Sequence, residues 1–332
     1  MQPEKGKVRA LGLSSGGLDS ILAALVLRRQ GIAVEWVAFE TPFFSADKAR
    51  QAALLNGVPL TVRPITGVYV KMLKNPPVGY GRHMNPCMDC HALMFRLAGE
   101  RMRATGADFL FSGEVLGQRP MSQTRQSLRY VEKHSGFDGY ILRPLSAQRL
   151  PETIPEKEGW VDRTQLLGIS GRGRKEQIQL ARVYGVTEYP VPADGCLLTD
   201  KHYARRLRDL FAHQDQPAER ELELLKYGRH FRLNSDAKVV VGRSQTENEA
   251  MLRCCDPAVD IQVKIRDYAG PLALMPHGGN KAAVLLAATI CAGYSKAPRI
   301  VKAVAAEVAR PDGREVLRVI ALLPSDFSRL LI

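Results

Sequence analysis

The 332-residue sequence lacks any uninterrupted run of 18 apolar residues, so we expect no membrane-spanning helix and no membrane partner. The first ten residues, MQPEKGKVRA, contain no apolar signal core, and we therefore expect a cytoplasmic protein. The sequence also has no internal repeat and no low-complexity tract. Apolar residues make up 45% of the chain, which is enough for real hydrophobic cores, and the length favours two domains over one.

Acidic residues are scarce relative to basic ones. The chain has 34 Asp and Glu against 47 Lys and Arg, which gives a formal net charge of +13. A generically basic surface is one explanation. An excess of this size favours a polyanionic partner, because Lys and Arg neutralise the phosphates of nucleic acids.

The chain has six cysteines, and in a protein expected to be cytoplasmic they do not indicate a disulfide framework. They are instead thiols, metal ligands or catalytic groups. Three of them lie in apolar settings that predict buried core thiols: Cys254, Cys255 and Cys291. The other three are candidates for chemistry: Cys87, Cys90 and Cys196.

The first half of the chain alternates between strand and helix patterns, which predicts a doubly wound parallel sheet of the α/β class. Five strands are expected, with a long helix over residues 87–106 and a short basic helix over residues 174–184. The predicted domains are a catalytic domain over residues 1–200, a helical linker over 201–230 and a smaller α+β domain over 231–332. The last begins with a hairpin that turns at residues 234–236.

The stretch SSGGLDS, residues 14–20, connects the first predicted strand to the first predicted helix. Backbone N–H groups at such a junction form a concave anion site, and the helix dipole favours negative charge there. Gly16 and Gly17 would let the backbone approach a phosphate closely. The pattern is not the Walker sequence G-x-x-x-x-G-K-[ST]. Loops follow other strands at ETPFF and SGEVLGQ, and they should converge on the same crevice.

Cys87 and Cys90, in NPCMDC, are three residues apart and would lie on one helical face, while Cys196 follows far downstream. Zinc is one explanation, but no H-x₃₋₅-H pair follows and His91 points away from the two thiols. A redox dithiol is a second explanation. A third is a [4Fe–4S] cluster held by three thiolates. Spacing alone leaves these alternatives open.

The string S-G-G-x-D-S resembles the pyrophosphate loop (PP-loop) of the N-type ATP pyrophosphatases, whose fold is a Rossmann-like PP-loop/HUP domain. Members of that superfamily cleave ATP between the α and β phosphates. With NPCMDC, SGEVLGQRPMSQ and GCLLTD, residues 8–200 look like its tRNA-thiolating branch, which includes the tRNA 4-thiouridine synthetases. The resemblance implies that the chain binds ATP, Mg²⁺ and tRNA.

The resemblance also assigns roles to individual residues. Asp19, Cys90 and Cys196 are expected to be catalytic, with Asp19 holding Mg²⁺ or orienting the loop. The expected cluster ligands are Cys87, Cys90 and Cys196. The expected nucleotide-binding residues are Ser15, Gly16, Gly17, Leu18, Asp19, Ser20, Gly113, Glu114 and Gln118.

The activity implied is an ATP-dependent tRNA sulfurtransferase that adenylylates a uridine and replaces its carbonyl oxygen with sulfur. The expected product is 4-thiouridine at position 8, made with a [4Fe–4S] cluster. One alternative is 2-thiouridine synthesis at a wobble or T-loop uridine. Another is a persulfide on Cys196, resolved by Cys90, without a cluster. The sulfur would come from sulfide or from a cysteine desulfurase. The THUMP-type RNA domain usual in 4-thiouridine synthetases is not expected, since the loop begins at residue 14.

Residues 230–325 are similar to the small RNA-associated domain of the NFACT-R type. The similarity rests on V-G-R-x-x-x-x-N, here Val241-Gly242-Arg243 and Asn248, and on the later PHGGNKAAVLLAATICAGYSKA. It implies tRNA binding by this domain, and a dimerisation role, with a possible homodimer, is the alternative. The candidate RNA-contacting residues are Arg243, Lys281, Lys296 and Arg299. A basic face in the first domain is a further candidate: Arg119, Arg125, Arg129 and Lys133.

Overall fold

The structure is a computed structural model, and it describes residues 7–190, 196–298 and 300–332. The chain divides into two compact units, of which the first ends at Thr199 and the second runs from Asp200 to Ile332. Among the described residues, no helix is long and apolar enough to cross a membrane.

The described part of the first unit contains a five-stranded sheet in the order β3-β2-β1-β4-β5. Every neighbouring pair is parallel, as the alternating sequence pattern predicts. The strands are β1 (Arg9–Leu13), β2 (Ala33–Glu40), β3 (Leu60–Pro64), β4 (Phe109–Ser112) and β5 (Ile141–Leu142).

Helices connect these strands, and the predicted long and short basic helices are both confirmed as α4 and α7. Their bounds are α1 (Leu18–Arg29), α2 (Asp47–Asn56), α3 (Thr66–Lys74), α4 (Cys87–Thr105), α5 (Arg125–Ser135), α6 (Ile154–Lys157) and α7 (Lys175–Val183). Because the strands are parallel, their carboxyl ends share one edge, and the loops after β1, β2 and β4 leave from that edge.

Close packing at the centre of the sheet requires a glycine in β1. Gly12 pairs with Trp36 on one side and with Phe111 on the other. A Cβ at Gly12 would lie 2.3 Å from the Phe111 ring, so the ring occupies the place of a side chain. Trp36 and Phe111 are each 1% exposed, which puts the core of this unit directly beneath the loop that follows β1.

The described part of the second unit contains a six-stranded antiparallel sheet in the order β11-β10-β8-β9-β7-β6. The strands are β6 (Arg229–Arg232), β7 (Lys238–Val241), β8 (Ile261–Ile265), β9 (Ala273–Met275), β10 (Val304–Arg310) and β11 (Gly313–Val319). The helices are α8 (Lys201–His213), α9 (Glu219–Leu224), α10 (Gln245–Arg253) and α11 (Lys281–Gly293). The fold class is therefore α/β with a smaller α+β part, as predicted.

The β6–β7 hairpin is confirmed, with Arg232 paired to Lys238 and the Asn234 Oδ1 atom accepting from the N–H of Ala237 at 2.8 Å. Strand β10 was not predicted from the sequence, because Val304 and Val308 are separated by the weak strand formers Ala and Glu. The helices α8 and α9, predicted as part of a linker, belong to the second unit.

The packing of Phe111 on Gly12 predicts that Gly12→Ala lowers the free energy of unfolding by about 1–3 kcal/mol, the usual cost of overpacking a core. Urea unfolding measures it. Gly67→Ala is the control, since a Cβ at Gly67 in α3 meets nothing within 4 Å. If the two variants were equally stable, the close contact between the Phe111 ring and Gly12 would be contradicted.

Candidate active site

The loop between β1 and α1 has the geometry of an anion site. The Ser14 N–H donates to the Val37 carbonyl at 3.0 Å, which anchors the loop to β2. The Gly16 N–H then donates to Ser14 Oγ at 3.1 Å, and Gly16 takes a φ of +73°. The first turn of α1 follows at once, and the leading N–H groups of a helix have no partner within it. These groups form a site for phosphate oxygens.

Two glycines in this loop have different roles. A Cβ on Gly16 would lie 2.2 Å from the carbonyl carbon of Lys48, so α2 packs on bare backbone there. Gly17 has a φ of −76°, and a Cβ on it would meet nothing closer than Ser15 Oγ at 3.5 Å. The fold therefore requires glycine at 16 but not at 17.

Ser15 and Ser20 lie side by side at the start of α1. Their hydroxyl oxygens are 3.3 Å apart, and the Ser15 N–H donates to Ser20 Oγ at 3.4 Å. Ser15 is exposed and Ser20 is buried. The pair thus offers a hydroxyl on the open side of the loop, braced by another beneath it.

Asp19 in the first turn of α1 faces the loop after β4. Gln118 Nε2 donates to Asp19 Oδ2 at 3.0 Å. The Oδ1 atom is buried and has no hydrogen-bond partner among the described residues. Burial raises the pKa of Asp19, against the hydrogen bond from Gln118 and the charges of Arg174 and Arg119, which lower it. An orphaned carboxylate oxygen of this kind is a suitable ligand for Mg²⁺.

The loop after β4 touches the start of α1 through Gly113. A Cβ at Gly113 would lie 2.4 Å from both the carbonyl carbon of Asp19 and the N atom of Ser20. With the Gln118–Asp19 hydrogen bond, this contact brings Gly113 and Gln118 to the PP-loop. Both were predicted as site residues from sequence.

Glu114 is buried in an ion-pair network beside that loop. Its carboxylate accepts from Arg143 Nε at 2.9 Å and from His91 Nδ1 at 2.8 Å, and Ser112 Oγ donates at 3.2 Å. Burial acts to raise its pKa, but Arg143 and His91 outweigh burial and lower the pKa of Glu114 to about 2. Both carboxylate oxygens are thus engaged by protein groups, and Glu114 ties β4 to α4 rather than leaving a free acceptor.

Cys87 and Cys90 lie in the first turn of α4. The Cys87 thiol donates to Asn85 Oδ1 at 3.1 Å. The N–H of Met84, just before α4, donates to the Leu198 carbonyl at 3.1 Å, which holds the short 3₁₀ turn Leu197–Thr199 against this segment. Cys196, immediately before that turn, is thereby brought towards the other two thiols.

The three thiols influence one another electrostatically. Burial raises the pKa of Cys90 to about 12, with the charges of Cys196 and Cys87 adding to it and a hydrogen bond from Tyr69 opposing it. Burial also raises the pKa of Cys87 and of Cys196, while the positive charge of Arg119 lowers both. Arg119 therefore lies within electrostatic range of the thiols and, as described above, of Asp19.

Tyr69 connects the thiols to the loop after β2. Its ring packs against Phe43 with centroids 5.5 Å apart and against Phe44 at 5.3 Å. Tyr69 was not predicted as a site residue, because a Tyr among apolar helix residues usually indicates a side chain packed in the core. The residues Arg143 and Arg174 were missed for a similar reason, since nothing in the sequence marks which of 47 basic residues is buried beside a carboxylate.

The donor set is suited to iron–sulfur chemistry. Within residues 7–190, 196–298 and 300–332, no group of three or more His, Cys, Asp or Glu side chains is placed to hold one metal ion. A cluster distributes its thiolates over separate irons, so its ligands need not converge on one point. The Nδ1 atom of His91 is bonded to Glu114 Oε1 at 2.8 Å, so this nitrogen is engaged within the protein.

The remaining thiols lie in the second unit. Cys254 and Cys291 are buried and Cys255 is half-buried. Burial raises the pKa of Cys291 to about 12.

The V-G-R-x-x-x-x-N motif of the second unit is engaged in internal contacts. Asn248 Oδ1 accepts from the Leu272 N–H at 3.1 Å and lies 2.0 Å from where a Gly242 Cβ would be, which explains the glycine. The Arg243 guanidinium binds Glu247, with Nε 2.9 Å from Oε1.

Of the other candidate RNA-contacting residues, Lys281 and Lys296 are exposed, and Arg299 lies outside the described residues. In the first unit, Arg129 Nη2 donates to Asp138 Oδ2 at 2.8 Å, while Arg119, Arg125 and Lys133 are exposed.

Comparisons with known proteins give a separate match for each of the two units of the chain. Residues 5–150 match the family model described as "Thiamine biosynthesis protein (ThiI)", and residues 228–327 match "NFACT protein RNA binding domain". The chain is ThiI-like in its first unit and NFACT-R-like in its second. A probable tRNA sulfurtransferase from Oceanobacillus iheyensis is 27% identical over 155 residues, 44% of this chain. The chain covers 37% of the length of that relative.

Solved structures similar to this ThiI-like, NFACT-R-like chain include a 4-thiouridine synthetase–RNA complex with bound ATP. It has a TM-score of 0.37 and 20% identity, and the match covers 54% of this chain and 41% of that one. Another is the C-terminal part of the fibronectin/fibrinogen-binding protein from Streptococcus suis, with a TM-score of 0.28 and 13% identity. That match covers 48% of this chain and 76% of that one.

The Glu114 network predicts a loss of stability in acid. Because its pKa in the folded protein is depressed, Glu114 stabilises the fold above its ordinary value near 4.5, and this contribution disappears as the pH falls towards 2. Urea unfolding from pH 5 to pH 2 should show a smaller pH dependence for Glu114→Gln than for wild type.

At pH 7 the same variant should be destabilised by about 3–5 kcal/mol, the cost of breaking a buried pair. Glu100→Gln is the control, because Glu100 pairs with Arg96 on the surface, where a pair contributes about 0–1 kcal/mol. Parallel pH curves for wild type and Glu114→Gln would contradict the assigned pKa.

Proposed function

We propose that the protein uses ATP to adenylylate a uridine of tRNA and then replaces the activated carbonyl oxygen with sulfur, giving 4-thiouridine at position 8. The observation that carries the proposal is the loop after β4, which contacts both parts of the candidate site. Gln118 of this loop donates to Asp19 Oδ2 at 3.0 Å, and Glu114 of the same loop is bonded at 2.8 Å to His91 Nδ1, in the helix that begins with Cys87 and Cys90. The ThiI family match over residues 5–150 and the tRNA sulfurtransferase relative support the same activity.

The activation step needs a group that holds the departing pyrophosphate. The uridine carbonyl oxygen attacks the α-phosphorus of ATP, and the bond between the α-phosphorus and the bridging oxygen breaks. We assign the binding of that pyrophosphate to the N–H groups of Gly17, Leu18 and Asp19 and to the Ser15 hydroxyl. Arg119 and Arg174, both within electrostatic range of Asp19, would add positive charge there.

Asp19 is assigned to the metal that accompanies ATP. Its Oδ1 atom, buried and without a partner among the described residues, is the group that would hold Mg²⁺, whose charge would offset that of the triphosphate. Gln118 fixes the carboxylate through Oδ2 at 3.0 Å and leaves Oδ1 directed elsewhere. Removal of the negative charge of Asp19 should therefore slow the adenylylation of uridine without disturbing the structure of the loop.

The thiols are assigned to sulfur delivery. Cys87, Cys90 and Cys196 would hold a [4Fe–4S] cluster with one open iron, which would supply a deprotonated, positioned hydrosulfide. The protein's own part is to position the three thiols. Cys87 and Cys90 lie in the first turn of α4, and the bond from the Met84 N–H to the Leu198 carbonyl holds the turn that follows Cys196 against the same segment. Sulfur attack on the activated carbon then expels AMP.

Persulfide chemistry is the second candidate, and the three free thiols support it as well. A persulfide on Cys196, formed from desulfurase-derived sulfur, would attack the activated carbon, and Cys90 would resolve it by forming a disulfide. This route uses Cys90 and Cys196 and gives Cys87 no part, whereas the cluster uses all three thiols. For that reason we favour the cluster.

The direct test combines purified protein, unmodified tRNA, ATP, Mg²⁺ and sulfide under anaerobic conditions, with mass spectrometry of the tRNA nucleosides. We expect 4-thiouridine, with one AMP released per thiolated uridine. A product of 2-thiouridine would move the activity to the alternative carbonyl, and the absence of any thiolated nucleoside would refute the proposal.

Asp19→Asn should lower the rate of AMP formation by at least about 100-fold, since loss of groups that merely support metal ligands already costs about 10–100-fold. The control is Asp108→Asn, at the opposite edge of the same sheet, where Asp108 Oδ2 accepts from the Arg9 N–H at 2.8 Å. It should keep the wild-type rate. An active Asp19→Asn enzyme would remove Asp19 from the mechanism.

Anaerobically purified protein should be brown and contain about four irons per chain. Ser substitution of Cys87, Cys90 or Cys196 should abolish both the colour and thiolation, whereas Cys254→Ser in the second unit should retain both. Colourless protein that thiolates tRNA only with a desulfurase and a reductant would overturn the cluster in favour of the persulfide route.

A further inference from the structure

The second unit contains a cavity of about 280 Å³ that has no part in the chemistry assigned to the first unit. It is lined by α8, α9, the β6–β7 hairpin and the turn after β9. Its volume is just below the usual range of about 300–1,000 Å³ for small-molecule sites. Leu210, Leu224 and Leu225 line it together with His230, Arg232 and Lys238, so an apolar surface and cationic groups face the same space.

Lys238 is the unusual group in this cavity. Its side chain is 9% exposed, and its ammonium reaches Asp209 Oδ2 only at 3.6 Å. Arg232 already engages Asp209, with Nε to Oδ1 at 3.0 Å and Nη2 to Oδ2 at 2.6 Å. One carboxylate thus serves two cations. Among the described residues, no second carboxylate lies within ion-pair distance of Lys238.

An ammonium has three N–H donors, and a buried one is costly when they lack acceptors. Burial lowers the pKa of Lys238 to about 8, with Asp209 opposing and Arg232 adding to the shift. The cavity therefore contains a cation that an additional acceptor of negative charge would stabilise.

The other ionisable groups do not cancel that charge. Glu221 accepts from His277 Nε2 at 2.9 Å, from Gln214 Nε2 at 2.8 Å and from the Ala218 N–H at 2.9 Å, so its carboxylate is fully engaged. Asp236 lies on the exposed hairpin turn.

His230 adds no charge to the cavity. Its Nε2 donates to the Tyr227 carbonyl at 2.8 Å, and burial lowers the pKa of His230 well below its ordinary value. The imidazole is therefore neutral, and Lys238 and Arg232 carry the positive charge of the cavity.

We propose that this cavity binds one unpaired or terminal nucleotide of an RNA, with its phosphate on Lys238 and its nucleoside against the leucine side. The proposal rests on the proposed function, in which the protein acts on tRNA, and on the match of residues 228–327 to the NFACT protein RNA binding domain. A phosphate on a rigid duplex cannot enter a cavity whose lysine is nine-tenths buried, whereas an unstacked nucleotide can, and unpaired nucleotides are the usual targets of specific RNA recognition.

The test measures fluorescence anisotropy of a labelled single-stranded oligoribonucleotide with the full-length protein. Lys238→Met keeps the length of the side chain and removes its charge, and it should raise the dissociation constant at least about tenfold. The slope of log K against log salt should fall by about one, as expected for one lost phosphate contact. Lys264→Met, on an exposed lysine of β8, is the matched control and should bind within about twofold of wild type.

Competition experiments identify the ligand chemistry. Uridine monophosphate should displace the labelled oligonucleotide and uridine should not, whereas equal displacement by both would overturn the phosphate assignment. Because a free mononucleotide carries the same chemistry as an RNA nucleotide, the oligonucleotide is compared with it directly. Tighter binding of the oligonucleotide supports an RNA site, and equal or tighter binding of the mononucleotide overturns it.

A second measurement does not depend on the fold of a variant. Near pH 8, Lys238 of the wild-type protein should be acetylated more slowly when the oligonucleotide is bound, while Lys264 should react at an unchanged rate, as read by mass spectrometry. Equal acetylation of Lys238 with and without RNA would overturn the proposal. If wild-type protein binds no RNA at all, the RNA-binding part of the proposed function fails as well. If it binds RNA and Lys238→Met binds equally well, only the cavity assignment fails.

Discussion

Direct packing of backbone on backbone at the carboxyl edge of the parallel sheet is the constraint on which the candidate active site depends. At Gly16 the PP-loop meets the start of α2, and at Gly113 the loop after β4 meets the first turn of α1. In both places a Cβ would lie under 2.5 Å from main-chain atoms, which have no rotamer by which to escape. These two glycines thus fix the PP-loop against α2 and the loop after β4 against α1.

A buried network of ion pairs connects the elements next to this edge of the sheet. Arg143, with its side chain 1% exposed, binds Glu114 and Glu132, and His91 of α4 binds Glu114 from the other side. This network links β4, α4 and α5, so the helix that carries Cys87 and Cys90 is held to the strand whose loop carries Gln118. Buried pairs of this kind add little net stability, but a broken one is costly, and they therefore favour one arrangement of the elements over others.

The sequence was sufficient for the parallel sheet, the glycine-rich junction between β1 and α1, and the β6–β7 hairpin, because local pattern determines each of them. Short apolar runs indicate strands, and a glycine just before a helix indicates that another backbone segment or a ligand can approach closely there. It was insufficient for the buried ion pair between Glu114 and Arg143, since the two residues lie 29 positions apart in the chain. Strand β10 was not predicted for a local reason, because its alternating pattern is built partly from residues with low strand propensity.

Gly17 differs from Gly16, the other glycine of the loop. Neither its φ of −76° nor its surroundings exclude a methyl group, so folding places no demand on the residue. Whatever demand exists must come from the ligand that the loop receives. An alanine at this position would thus separate folding from nucleotide binding. Such a variant would keep its structure but bind the nucleotide poorly, and it would serve to capture the proposed RNA substrate before turnover.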